Sequence, residues 1–146
     1  MGWIVHRHGV LYAKDGYNTQ FEGVVAQVVG GFLWRRDTKH ERCWIAERDG
    51  AFLGCVMVVR KAPTVAKLRL LLVEPEARGM GIGSALIQAC IDFARKKGYR
   101  KMTLWTHRNL KAARRLYQAA GFQLVSSIPN PSFGKKLVDE TWELRL

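Results

Sequence analysis

The segment Arg78-Gly79-Met80-Gly81-Ile82-Gly83-Ser84 carries the most specific chemistry in the sequence. Its three alternating glycines follow an apolar run, Leu70-Leu71-Leu72-Val73, and a Glu74-Pro75 break, and they open a stretch with helical periodicity. Glycine takes backbone dihedrals closed to other residues and lets a ligand approach the main chain. Amides at the start of a helix have no intrahelical partner and sit at the positive end of its dipole. Such a turn suits a phosphate or pyrophosphate, with Arg78 adding a charged donor. A nucleotide P-loop ends in Gly-Lys-Ser/Thr, and here Ser84 follows Gly83 with no lysine. A dinucleotide fingerprint has its third glycine where Ser84 stands and follows the first strand of a βαβ unit. This loop instead follows the fourth strand of an antiparallel-looking group. A glycine-rich connection without a ligand remains as the alternative.

Other side chains with chemical potential are scattered. Tyr117 lies on a helix expected from about Asn109 to Ala120, among Ala113, Leu116 and Ala120 at helical spacing. It is either a core aromatic or a phenol aimed at a site. Glu22 is explained by helix capping, while Glu41 and Glu47 read as solvated carboxylates in or beside a hairpin strand. His6 and His8 would share one side of a first strand, a position that could line a substrate mouth, and His107 would sit just past a sheet strand near the cleft. None of these is assigned as a general base. Cys43, Cys55 and Cys90 are widely spaced, with no CxxC or His/Cys cluster, so no metal site is expected and the thiols read as buried and reduced.

The elements that must position these groups follow from pattern. Trp3 to Val10 has β-favouring residues and reads as a first strand. Thr19-Gln20-Phe21-Glu22 reads as a capping box, with Thr19 at N-cap, opening a helix that Gly30-Gly31 would end. Cys43 to Arg48 and Ala51 to Arg60 flank Asp49-Gly50, a strong hairpin signal. Val65 to Val73 forms a strand covered on both faces, and Gly83 to about Lys97 continues the helix after the glycine loop. Lys101 to Thr106, Phe122 to Ile128 and Leu137 to Leu146 complete the strands. The result is a mixed α/β sheet with no linker or repeat.

The chain has 146 residues, 48% of them apolar, which is enough for one domain spanning 1–146 with a real core and excludes a disordered chain. No apolar run approaches the roughly 18 residues of a membrane span. The N-terminus lacks the apolar core of a signal peptide, and His6 stands where a myristoylation signal has Ser or Thr. A soluble, cytoplasmic protein is expected. Net charge is +12, and between Phe93 and Val138 there are eleven Lys or Arg with no Asp or Glu, including Lys111, Arg114 and Arg115 on the polar face of the Tyr117 helix. Charge of this sign suits phosphorylated small molecules, acidic surfaces or nucleic acid. No zinc finger or aromatic RNA-binding signature accompanies it.

The Arg78-Gly79-x-Gly81-x-Gly83 loop resembles the acetyl-coenzyme A loop of the GNAT N-acetyltransferases. A second signature of that family, Ala113-x-x-Leu116-Tyr117-x-x-x-Gly121-Phe122, lies at the expected distance. The segment His6-Arg7-His8-Gly9-Val10-Leu11-Tyr12-Ala13 also resembles the acetyltransferase half of bacterial fusions to MarR-type regulators, whose regulator half is absent here. The resemblance implies an α/β (α+β) GNAT fold. Its mixed, mostly antiparallel sheet of about seven strands would be flanked by helices and splayed at two central parallel strands.

The resemblance also implies acetyl transfer from acetyl-coenzyme A to a primary amine by direct attack, with no metal. The cofactor would pair its pantetheine arm with the main chain of Leu71, Leu72 and Val73, and rest its pyrophosphate on Arg78, Gly79, Met80, Gly81, Ile82, Gly83 and Ser84. Tyr117 would be the general acid, and a backbone amide near Leu70 to Leu72 would polarise the thioester carbonyl. The family's pantetheine-bonding asparagine falls at Leu110; Asn109, one residue earlier, is carried either as that contact or as a helix N-cap. Homodimerisation is common for the fold. A noncatalytic acyl-coenzyme A sensor acting with a DNA-binding partner is the alternative, and a basic nucleic-acid-binding domain a third. The acceptor is not legible.

Overall fold

The computed structural model describes residues 1–146. Asp49 and Gly50 turn the chain between β1 (Arg42–Arg48) and β2 (Ala51–Ala62) with positive φ at both residues, 52° and 79°. Two central residues with positive φ are the type I′ hairpin geometry that Asp-Gly favours. β2 pairs antiparallel with β3 (Val65–Val73), and β3 pairs parallel with β4 (Lys101–His107). β5 (Gln123–Asn130) and β6 (Leu137–Arg145) close a six-stranded sheet in the order β1-β2-β3-β4-β6-β5.

The sheet therefore has six strands where about seven are expected, because Trp3 to Val10 is not a strand. It lies in α1 (Gly2–Lys14), which packs against α2 (Thr19–Arg35). The reason is tertiary. Ile4 and His8, four apart, fall on one buried helical face, and a Cβ on Gly9 would collide with Glu22 Oε1. Gly9 is thus a packing residue between two helices, not turn punctuation. Glu22 fills that contact and is no capping-box partner. Asn18 caps α2 instead, its side chain accepting from Gln20 N at 3.0 Å, and Thr19 is the first helical residue. Gly30-Gly31 does not end α2, which runs four residues further to an Arg36 in the left-handed region.

α3 (Ile82–Lys96) and α4 (Lys111–Ala119) cover one face of the sheet, α1 and α2 the other. The α3 face buries Val56, Val58, Leu68, Leu86, Ile87 and Phe93, and the α1/α2 face buries Ile4, Phe21, Val25, Cys55 and Leu72. Between these faces β3 carries a bulge. Cys55 pairs with Leu72 and Met57 with Arg69, so Val56 alone faces Leu70 and Leu71. Leu70 takes φ 56°, and the side-chain alternation changes phase there. Ala66 and Leu68 point to the α3 core, whereas Leu70 and Leu72 pack on the α1/α2 core.

Candidate active site

The parallel pairing of β3 with β4 lasts only from Val65/Lys101 to Leu68/Leu104. Beyond Leu68 the strands part, and β3 from Arg69 to Val73 has no strand partner on its β4 side. The bulge and the parting coincide. In the opening lies a cleft of about 690 Å³, counted to its mouth, reached by groups from five elements. Tyr117 enters from α4, His8 and Tyr12 from α1, Trp105 from β4, Lys67 and Arg69 from β3, and Val28 from α2.

The glycine loop leaves the end of β3 through a short 3-10 turn, Pro75–Ala77. Gly79 and Gly81 have φ of 81° and 76°, and a Cβ on either would meet nothing within 4 Å. Both are glycine for their backbone conformation, and the space over them is open. Gly83 serves another purpose, since a Cβ there would meet a Leu116 methyl at 2.6 Å, so it lets α3 approach α4. The first hydrogen bond of α3 runs from Ala85 N to Gly81 O at 3.0 Å. Six consecutive amides, Gly79 to Ser84, therefore donate to nothing in the protein. Arg78, Gly79, Met80, Gly81 and Ser84 are exposed, while Ile82 packs partly into the core and Gly83 is buried. Leu71 lines the cleft, Leu72 is buried in the α1/α2 core, and Val73 is half-buried.

Tyr117 is buried yet lines the cleft, and its hydroxyl has no hydrogen-bond partner in the protein. Burial, with Tyr12 and Cys90 nearby, raises its pKa far above the usual phenol value, so it holds its proton. α4 is held in place by Glu140, which is fully buried and accepts from Arg114 Nε at 2.8 Å and Trp142 Nε1 at 3.3 Å. Arg114 is therefore an anchor of the helix and not a free surface cation. Asn109 is no N-cap. Leu110 holds that position without a side-chain cap, and Asn109 Nδ2 donates to Tyr17 Oη at 3.4 Å.

The histidines separate by their partners. His107 Nδ1 is hydrogen-bonded to Tyr17 Oη at 2.7 Å, and its Nε2 lies 3.2 Å from Asp139 Oδ1. That Nε2 is buried without a hydrogen bond, with the Asp139 carboxylate as its charged neighbour, and burial lowers the ring's pKa. His8 differs. Its Nδ1 donates to Ile4 O at 2.8 Å, which leaves the Nε2 lone pair bare, buried and unpartnered. Burial pushes its pKa down to about 4. His6 is exposed. Glu41 is buried rather than solvated, accepting from Arg35 Nε and Arg60 N at 2.9 Å each. The three cysteines are free, and no group of three His, Cys, Asp or Glu is placed to hold a metal. No helix is long and apolar enough to cross a membrane.

Of the two histidines expected at the substrate mouth, His8 lines the cleft, from a helix and not a strand, and His6 does not; reading the sequence missed Lys67 and Arg69 as cleft residues. Lys67 and Arg69 are two apart on one strand, a signal of a shared face, but nothing local says that the face is a cleft wall.

Comparison with known proteins agrees with this geometry. The acetyltransferase (GNAT) family model matches residues 11–122. An uncharacterized N-acetyltransferase of Methanocaldococcus jannaschii is 41% identical over 99 residues, covering 63% of this chain and 43% of that protein. An N-acetyltransferase 8B of Homo sapiens is 36% identical over 85 residues, covering 55% of this chain and 37% of that one. The chain spans about half the length of the curated relatives it matches. An N-acetyltransferase structure from Staphylococcus aureus superposes with TM-score 0.70 at 26% identity, covering 83% of this chain and 76% of that one. An acetyltransferase from Salmonella typhimurium, solved with its cofactor acetyl-CoA, superposes with TM-score 0.70 at 22% identity, covering 84% and 73%. A matched segment that contains the cleft strands, the glycine loop and Tyr117, on the fold such proteins share, places this chain in the acetyltransferase (GNAT) family.

Proposed function

We propose that the protein is an N-acetyltransferase that moves an acetyl group from acetyl-coenzyme A to a primary amine in a ternary complex. One observation carries the reading: six unpaired amides at the head of α3 adjoin a strand edge left bare where β3 and β4 part. The amides of Gly79 to Ser84, the helix dipole and the Arg78 guanidinium suit a pyrophosphate. The free edge of β3 at Leu71 to Val73 suits an amide-bearing arm that adds to the sheet as a short strand. Asn109, next to the cleft residue Leu110, is the candidate side-chain contact for that arm, and would have to exchange its bond to Tyr17 Oη for it.

Acetyl-coenzyme A supplies a thioester whose carbonyl carbon takes a new bond from the amine nitrogen while its bond to sulfur breaks. The residues of this chain do the rest. A main-chain amide among Leu70 to Leu72, at the bulge, polarises the carbonyl oxygen. Tyr117, which keeps its proton, donates from α4 to the departing sulfur. The attacking amine passes one proton out to solvent at the cleft mouth, along a wall that includes His8, and this matches the proton that Tyr117 gives to sulfur and regains. The apolar lining excludes water that would otherwise hydrolyse the thioester.

Calorimetry with acetyl-coenzyme A and with free coenzyme A tests the first half, and both are expected to bind. Thiol release across a panel of amines tests the second. Heat with the cofactor but no thiol release with any amine would favour a cofactor-sensing module that acts with a separate partner. No heat with either compound would overturn the reading.

A further inference from the structure

Beside the cleft, on the α2 side of β3, runs a groove walled by Arg35, Arg60, Lys61, Lys67 and Arg69, with Gln27 as its polar neighbour. Lys67 and Arg69 line the groove and the cleft alike. Of the five cations only Arg35 has an acidic partner, Glu41 at 2.9 Å. Lys67 and Arg69 are half-buried and unpaired, which is costly because a desolvated charge without a counter-charge loses its hydration for nothing. Burial and its cationic neighbours Arg69 and Lys61 push Lys67 down to about 8. A folded chain keeps such a group where a ligand completes it.

The groove is not the phosphate cradle. Lys67 lies twelve residues before Gly79, and along β3 alone Lys67 and Val73 stand about 20 Å apart at about 3.3 Å per residue. The thioester end of the cofactor, in the reading above, stops at the bulge of Leu70 and Leu71. Arg69 is the next residue back and Lys67 lies two beyond, on the face turned toward α2. An acceptor entering from that side thus passes its amine to the bulge with the rest of its body against Lys67 and Arg69. The lining between them, Phe21, Val24, Val28 and Trp105, is apolar.

We infer that the acceptor is an amine carrying an anionic group, a carboxylate or phosphate, that Lys67 and Arg69 bind while its amine reaches the parting of β3 and β4. This rests on the acetyl-transfer reading and narrows its substrate class. The remaining cations of the groove, Arg60 and Lys61, draw the anion in and extend the site for a doubly charged group. The apolar stretch before the bulge accepts an aliphatic or aromatic spacer.

The test uses the purified chain saturated with coenzyme A, so that the phosphate cradle is filled. Matched probes are titrated by calorimetry: phenylalanine against phenylalanine amide, and phosphoethanolamine against ethanolamine. The anionic member of at least one pair is expected to bind at least tenfold tighter, about 1.4 kcal/mol. The pair that discriminates tells a carboxylate site from a phosphate site. In Lys67→Met and Arg69→Met the two members converge, while coenzyme A affinity persists. Lys67→Met is also expected to raise the thermal midpoint, since it removes an unpaired, half-buried charge; a lower midpoint would make Lys67 structural and overturn the inference. Equal binding within every pair, or binding by neither member of any pair, would overturn it too. Thiol release on the same probes reports separately. Anion preference with no thiol release on the probes or on the wider amine panel leaves an anion site standing and removes the acetyl-transfer reading, whereas turnover of neutral amines with no anion preference does the reverse.

Discussion

Arg7 grips Glu74 at two points, Nε donating to Oε2 at 2.8 Å and Nη2 to Oε1 at 2.5 Å. The pair fastens α1 to the residue at which β3 turns toward the glycine loop. Glu74 is buried, its amide donates to Leu53 O, and Pro75 follows at once, so the loop departs from a fixed point. Arg7→Met strands that carboxylate and is expected to cost about 2 kcal/mol, in the range for charge-assisted bonds lost on one side. Urea unfolding measures it. A double replacement with Glu74→Gln should recover part of the loss, and coenzyme A binding should weaken in Arg7→Met because the loop loses its anchor.

Gly81→Ala and Gly83→Ala are expected to fail for different reasons. At Gly81, φ 76° penalises any side chain, by about 1–3 kcal/mol, although the space is open. At Gly83 the dihedral is ordinary and the Leu116 methyl at 2.6 Å is the obstacle. Calorimetry should show weaker coenzyme A binding in Gly81→Ala, while Leu116→Ala should rescue Gly83→Ala and leave Gly81→Ala unimproved. Rescue of both would show that a single packing defect explains them.

Tyr117→Phe removes only a hydroxyl that bonds to nothing in the protein, so the fold should persist with an unchanged melting midpoint. Turnover should fall by about 10²–10⁴, the usual worth of a proton donor. Tyr117→Ala should instead destabilise by about 3–5 kcal/mol, as large aromatic deletions from a core do. Undiminished turnover in Tyr117→Phe across pH would remove the hydroxyl from the chemistry.

His8 predicts the acid limb of stability. Its folded pKa of about 4 lies below the unfolded 6.5, so between these values the unfolded chain binds more protons. Stability is therefore present above pH 6.5 and falls as pH drops toward 4, by about 3 kcal/mol from this residue alone. His107, also lowered by burial, adds in the same direction. Chemical denaturation at pH 7, 5.5 and 4.5 should show the decline, and His8→Phe should flatten it. A slope unaffected by that replacement would assign the decline to other groups.

The elements that frame the candidate site were legible where their signals are local. The glycine loop, the Asp49-Gly50 turn and the Tyr117 helix are each written in a few adjacent residues, and the structure places them as read. The first helix was not legible. Trp3, Ile4 and Val5 favour strands, and Gly9 looks like punctuation until Glu22 is seen lying against it. The end of α2 was misread likewise, since packing of Val25 and Val29 carries the helix through Gly30-Gly31. Cleft walls such as Lys67 and Arg69 depend on which elements meet across the opened sheet, and no short window of sequence contains that. Glu41 reads as a solvated acid until the fold closes over it.

The extra residue at Leu70 makes one position of β3 dispensable to both cores. Without it the strand would run as an uninterrupted pleat against β2, with Leu71 still toward α3 and Leu72 still toward α1 and α2. What would go is the kink at which β3 leaves β4. Deleting Leu70 is thus expected to leave the protein folded with its sheet zipped shut, whereas loss of a neighbour such as Leu68 or Leu72 takes a side chain out of a core.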